Sequence, residues 1–313
     1  MPSSDPASTH SRLEPFFVHV GSFVAVIVYF VVLGRASDPE AGVYTALPVA
    51  LVVMSGYMLA AHRVGLIKYF DIGLWSMFAV GTVTVLGGWD FARALFANYS
   101  VAILFCTLGL VALVPLLLGI EPFTVFFARR GTPAWQQKTR DFVIINRIIS
   151  IWFAILFGVA AILAASAPHD IWFSIVYPNL LVFVAGLPSQ VWLPPLYLRL
   201  VGPHPPETAE AAILGMPLIF DSSATRGAEA TIQFRLGGDD GGDFWVRVAG
   251  GECESSEGVA ASPDLTIDTP SSVWLRIARG ELDGARALID GQYAIEGDGE
   301  ILMRFGEWFP SRR

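Results

Sequence analysis

VAILFCTLGLVALVPLLLGI, residues 101–120, contains no charged side chain. At about 1.5 Å of rise per residue a helix of this length measures about 30 Å, the thickness of a bilayer's hydrocarbon core. In that medium a single chain segment satisfies its backbone polar groups only as a helix. The stretch therefore assigns the surrounding sequence to an all-α transmembrane helix bundle, and further apolar segments lie on both sides of it.

Reading outward, six segments are expected to span: Phe16–Gly34, Val43–Ala61, Ile72–Gly88, Val101–Ile120, Phe142–Ala165 and Ile171–Leu193. The third is the weakest, being interrupted by Gly73, Gly81, Gly87 and Gly88. The sixth carries Pro178 and Pro188 and runs into Pro194-Pro195, so a kink is expected there. Asp5 and Glu14 precede the first segment, which does not read as a cleavable leader. Charged residues make up 15% of the chain, against about a quarter in soluble proteins, so much of the surface faces something other than water.

The charge is divided. Residues 1–202 carry a net +2 and residues 203–313 a net −10, with no lysine in the latter. An acidic, lysine-free domain lacks the basic footprint of a nucleic-acid binder. With six spans, Arg12, Arg63, Lys68, Arg129, Arg130, Lys138, Arg140 and Arg199 fall on one side, and Arg35 and Arg93 on the other. That bias places the N-terminal tail (1–15) and the acidic tail on the cytoplasmic side of a cell (inner) membrane. Cys106 lies in an apolar run and Cys253 in the polar domain, so neither a mutual disulfide nor a Cys/His metal site is expected.

Within the membrane part (16–200), no Asp, Glu or Lys sits in the middle of a predicted span, which weighs against a coupled pump. The candidate buried polar side chains are His19, Asn146, Arg147, Asn179 and Gln190. Asn179 and Gln190, about three turns apart, would share a face of a straight helix. Interhelical hydrogen bonding is the simpler account of them, a substrate path the sharper one. The fourth loop pairs Glu121 with an apolar run and Arg129-Arg130; positive-inside anchoring is the simpler account, lipid head-group recognition the sharper. The string Pro122-Phe123-Thr124 through Trp152 resembles small bacterial membrane proteins of no assigned chemistry.

Residues 201–206 read as a Pro-rich linker, and residues 207–313 change period. Thr231–Leu236 alternates strictly, Phe244–Val248 resumes a strand, and Glu252–Gly258, Asp264–Thr269 and Gln292–Glu296 are further strands. Helices are expected at 206–214, from Pro270-Ser271-Ser272 to Gly280, over Gly284–Ile289 and from Ile301 onward. This is an α+β pattern, expected as an antiparallel sheet covered by helices.

Pro263-Asp264-Leu265-Thr266-Ile267, Arg279-Gly280-Glu281-Leu282-Asp283 and Asp290-Gly291-Gln292-Tyr293-Ala294-Ile295-Glu296-Gly297-Asp298, in this order of elements, resemble the sterol carrier protein type-two family. The resemblance implies an apolar lipid held between sheet and helices, with no metal, no cofactor and no fixed catalytic residue. The inward faces then supply the ligand-binding candidates Phe220, Ile232, Phe234, Leu236, Trp245, Leu265, Ile267, Trp274, Leu288, Ile295, Leu302 and Phe305. A tunnel wall and a packed core have the same composition, so both readings stay open at this stage.

Two functions follow as expectations. One is a membrane-tethered protein that binds or presents a sterol-like, isoprenoid or acyl ligand, with membrane lipid as its partner. The other is a membrane enzyme, or a subunit of one, whose lipid-like substrate is held by the tail. No His-x-x-x-His pair, Gly-x-Ser-x-Gly turn or phosphate-binding loop supports catalysis, so the first leads.

Overall fold

A computed structural model describes residues 21–202, 204–225, 227–238 and 241–310. The chain divides into two compact units. One comprises Met1–Gly131 and Ile144–Val201, the other Thr132–Val143 and Gly202–Arg313. The short segment after the paired arginines thus belongs with the C-terminal unit.

The helical unit begins with α1 (Gly21–Leu33), α2 (Pro39–Arg63), α3 (Tyr69–Leu86) and α4 (Asp90–Leu117). Asp38 starts α2 by accepting the Glu40 amide at 3.1 Å, with Pro39 in the first turn where its missing N–H costs nothing. Along the chain then come α5 (Val125–Gly131), the single turn α6 (Ala134–Gln137), which belongs with the C-terminal unit, and the long α7 (Arg140–Ser166). Small buried residues, Ala46, Ala50, Ala160 and Ala161, allow close approach in this core, and Phe78, Phe105, Phe153 and Phe157 fill the space between.

Among the described residues, four helices (α2, α3, α4 and α7) are long and apolar enough to cross a membrane. Helix α1 is shorter as described; the start of the first expected segment, and His19 with it, lie outside the described residues. The sixth expected segment is broken: π-turns Trp172–Val176 and Val182–Gly186 flank α8 (Tyr177–Leu181), and α9 (Ser189–Val201) continues at a 41° bend. Counting that pair as one span gives up to five by this measure, against about six expected.

The C-terminal unit opens with α10 (Ala209–Leu214), capped by the Thr208 hydroxyl on the Ala211 amide at 3.1 Å. Five strands follow: β1 (Ala230–Gly237), β2 (Gly242–Ala249), β3 (Glu252–Glu257), β4 (Leu265–Pro270) and β5 (Ala294–Gly297). Helices α11 (Ser271–Ala278), α12 (Gly284–Ile289) and α13 (Gly299–Trp308) fall after β4 and β5.

The strand order is β3-β2-β1-β4-β5. All pairings are antiparallel but one: β1 and β4 run parallel, Ile232 opposite Leu265 and Phe234 opposite Ile267. The expected purely antiparallel sheet is therefore a mixed one. The cause is the connection from β3 to β4, which must pass from one side of β1 to the other. Gln233 fastens that crossing: fully buried, its side chain donates to the Phe244 and Gly258 carbonyls at 3.0 and 3.3 Å and accepts the Ala260 amide at 2.7 Å. At the far end, Gly297 (φ 107°) closes β5, where any Cβ would collide with the Asp264 carbonyl.

Candidate functional site

The inner face of the sheet is set by the register. Ile232, Phe234 and Leu236 of β1, Phe244, Val246 and Val248 of β2, and Leu265 and Ile267 of β4 are all buried on it. Of the expected ligand-binding side chains, Ile232, Phe234, Leu236, Leu265, Ile267 and Trp274 are buried in one core. Phe220, Leu288, Ile295, Leu302 and Phe305 pack against that core but are only half-buried. Trp245 does not join them. It stands opposite Gln233, so it shares Gln233's face of the sheet and not Phe234's. Phe244-Trp245-Val246 is apolar at every position, and a strand without alternation does not reveal its phase until it is paired.

Five aromatic rings form a seam through this unit. Phe234 lies 4.8 Å from Trp274, and Phe305 lies 6.4 Å from Phe234 and 5.9 Å from Trp274 between ring centroids. Phe309 continues it at 4.8 Å from Phe305, and Phe220 at 5.8 Å from Phe309. Its inner end is close-packed. Its middle ring, Phe305, is carried by α13, where Phe305 and Leu302 are half-covered and Met303 is 84% exposed, while beyond it Phe309 is buried and Phe220 half-buried. The polar groups of this core mostly find partners: Ser255 donates to the Leu214 carbonyl at 2.8 Å and Tyr293 to the Gly284 carbonyl at 3.0 Å. The buried indole N–H groups of Trp274 and Trp308 do not. Leaving such a donor unsatisfied costs about 1–3 kcal/mol. Cys253, paired across from Val248, also turns toward the core, and burial, helped by Glu254, pushes its thiol up to about 12.

The segment Thr132–Val143 adds to this unit. Trp135 packs on its core, Lys138 pairs with Glu210 at 3.0 Å, and Asp141 accepts the His204 amide at 2.9 Å. Nothing in hydropathy or spacing announces these contacts.

In the helical unit the expected polar residues do not converge. Asn146 is buried, beside Thr124, whose hydroxyl donates to its carbonyl at 3.0 Å. Arg147, Asn179 and Gln190 are exposed. Asn179 and Gln190 lose their common face because the π-turn and bend between them change the helical phase. Arg129 forks onto Glu121, and Arg130 bonds the Phe126 carbonyl at 2.6 Å with its guanidinium 4.1 Å from that ring's centre.

A different polar cluster forms instead. Asp71, in the first turn of α3, is fully buried; it accepts the Ser22 hydroxyl at 2.6 Å and the Lys68 amide at 2.9 Å. The Lys68 ammonium is 3.8 Å from the same carboxylate and 5.9 Å from the centre of the Tyr57 ring. Hydropathy begins this span at Ile72, leaving Asp71 just outside it; the signal present was the i,i+3 Lys68–Asp71 spacing. A cleft of about 160 Å³ also lies in this unit, lined by Phe30, Asn98, Tyr99, Ser100, Pro168 and Ser174 among others. It sits where α4 leaves helical geometry, at Tyr99 (φ −121°, ψ 21°). Among the described residues no group of His, Cys, Asp and Glu is arranged to hold a metal.

The mixed sheet with helices over its aromatic face defines the class of the C-terminal unit, and comparison gives it a family. Residues 221–310 match the SCP-2 sterol transfer family, so this part of the chain is an SCP2 domain. The match covers less than a third of the chain and says nothing of the helical unit. Sterol carrier protein 2 like 2 of Aedes aegypti is similar at 21% identity over 32% of this chain and 91% of its own, with a TM-score of 0.28. Its palmitated form, solved by NMR, gives 22%, 32% and 88%, also at 0.28. The sec-alkylsulfatase Pisa1 of Pseudomonas sp. gives 13% identity over 86% of this chain and 45% of its own, at 0.29. These likenesses are weak, and the assignment rests on the family match. No curated protein matches the chain.

Proposed function

We propose that this chain is a membrane-held lipid-binding protein whose SCP2 domain takes up a sterol-like, isoprenoid or acyl lipid at the cytoplasmic face of the inner membrane. The family match over residues 221–310 carries the reading. The aromatic seam is consistent with it, because half-covered Phe305 and the neighbouring Leu302 on α13 offer apolar surface to a lipid tail. In this reading the apolar helices are an anchor closed by small residues, and tethering keeps the domain at high effective concentration beside its lipid pool.

The ligand enters, on this reading, by displacing Phe305 and not Phe234, since Phe234 has no exposed surface to give. Phe305→Ala in the full chain removes the ring that has to move and should tighten binding of a fluorescent acyl probe by about tenfold, while lowering the thermal transition less than a truncation at fully buried Phe234 does. Equal probe binding by wild type and variant would place the site elsewhere. An absence of binding by wild type would end the lipid-binding reading.

The side of the membrane is tested separately. The Cys253 thiol is a poor reporter because burial holds it protonated. Ala261 is exposed, so Ala261→Cys with Cys106 and Cys253 replaced by Ser gives a reachable thiol. It should resist an impermeant maleimide in intact cells and react after lysis. Labelling of intact cells would put the domain on the outer side.

A further inference from the structure

We infer that the lipid taken up by the SCP2 domain carries an uncharged oxygen acceptor, and that the indole N–H of Trp274 is the donor that recognises it. The inference rests on the lipid-binding reading above and deepens it. Trp274 is 4% exposed, and its ring packs between those of Phe234 and Phe305, at the inner end of the seam. Its Nε1 has no hydrogen-bond partner, whereas Gln233, Ser255 and Tyr293 around this core are bonded, Gln233 four times and the other two once each. A pure hydrocarbon would leave the donor unsatisfied, whereas a hydroxyl or carbonyl oxygen would complete it.

The charge of that oxygen follows from the surroundings. An ionised carboxylate inside a core needs a cation beside it. Among the described residues no arginine is buried in this core, and residues 203–313 carry a net −10. Both favour an alcohol, ester or ketone oxygen over a free acid. Trp308, whose indole N–H is likewise unpartnered, has the Arg304 guanidinium 5.1 Å from its ring centre and serves as an internal reference.

The test uses the full chain in nanodiscs of one phosphatidylcholine, with hexadecan-1-ol and hexadecane each displacing a fluorescent acyl probe. Wild type should prefer the alcohol by about tenfold beyond the two probes' partition into empty discs. Trp274→Phe should abolish that preference by weakening alcohol binding alone, with hexadecane unchanged; Trp308→Phe should keep it. In ¹⁵N-indole-labelled wild type, the Trp274 N–H resonance should move downfield with hexadecan-1-ol and not with hexadecane, which reads the contact even if a variant folds poorly. Equal loss of both ligands in Trp274→Phe, no preference in wild type, or an unmoved Trp274 resonance would each overturn the assignment while leaving lipid binding intact. Failure of the acyl probe itself to bind wild type would remove the parent reading, and this one with it.

Discussion

Replacing Phe234 by alanine should destabilise the C-terminal unit by about 3–5 kcal/mol, a larger effect than any other single truncation on its sheet. The ring is fully buried, in contact with Trp274 at 4.8 Å, and flanked across the ladder by Phe244 and Ile267. Both lateral neighbours belong to paired strands, so the sheet has little freedom to close over the void, and the cavity term is expected near its upper range. Phe234→Trp, which adds volume to the same place, should cost about 1–3 kcal/mol by overpacking. Trp245→Ala is the control. It removes a larger side chain from the neighbouring strand, but on the opposite and partly exposed face, and should cost clearly less. Calorimetry of the full chain, following the transition of the C-terminal unit, measures all three. A Trp245→Ala loss equal to that of Phe234→Ala would contradict the register of β1 against β2.

The same contrast separates a strand whose phase shows in its sequence from one whose phase does not. The alternation of Thr231–Leu236 assigned Ile232, Phe234 and Leu236 to one face because Gln233 and Arg235 separate them. Phe244-Trp245-Val246 has no such separators, and only pairing to β1 decides that Phe244 and Val246 go inward. Gln233 misled in the opposite sense. It reads as a solvent-facing position, yet it is buried because the β3–β4 connection crosses over it, and that crossing is also why β4 lies parallel to β1. Such a connection leaves no periodic trace. The motifs at 263–267 and 290–298 are more informative: they lie where the SCP2 match falls, and they hold the residues that pair β4 with β5, Leu265 opposite Gly297 and Ile267 opposite Ile295. The π-turn Val182–Gly186 and the bend after it change the helical phase between Asn179 and Gln190, which a count at about 3.6 residues per turn ignores.

The buried Lys68–Asp71 pair is the second place where one substitution should have a large effect. Asp71→Ala removes the acceptor of three groups at once: the Ser22 hydroxyl, the Lys68 amide that starts α3, and the Lys68 ammonium. Removing the carboxylate partner of a buried ammonium dominates the loss, which should reach about 3–5 kcal/mol. Breaking the pair costs more than the intact pair contributes, since desolvation of two buried ions offsets most of their attraction. Neutralising both members should therefore recover most of what the single change loses. Asp71→Asn keeps an oxygen for the Ser22 hydroxyl, and Lys68→Met keeps an apolar side chain of similar length without the charge. The double variant should unfold, in the same detergent, within a few degrees of wild type, well above Asp71→Ala. If the double variant is as unstable as Asp71→Ala, the cluster acts through its hydrogen bonds to the ends of α1 and α3 and not through charge. If Asp71→Ala itself is nearly neutral, Asp71 is not the fully buried partner of Lys68 that the geometry describes.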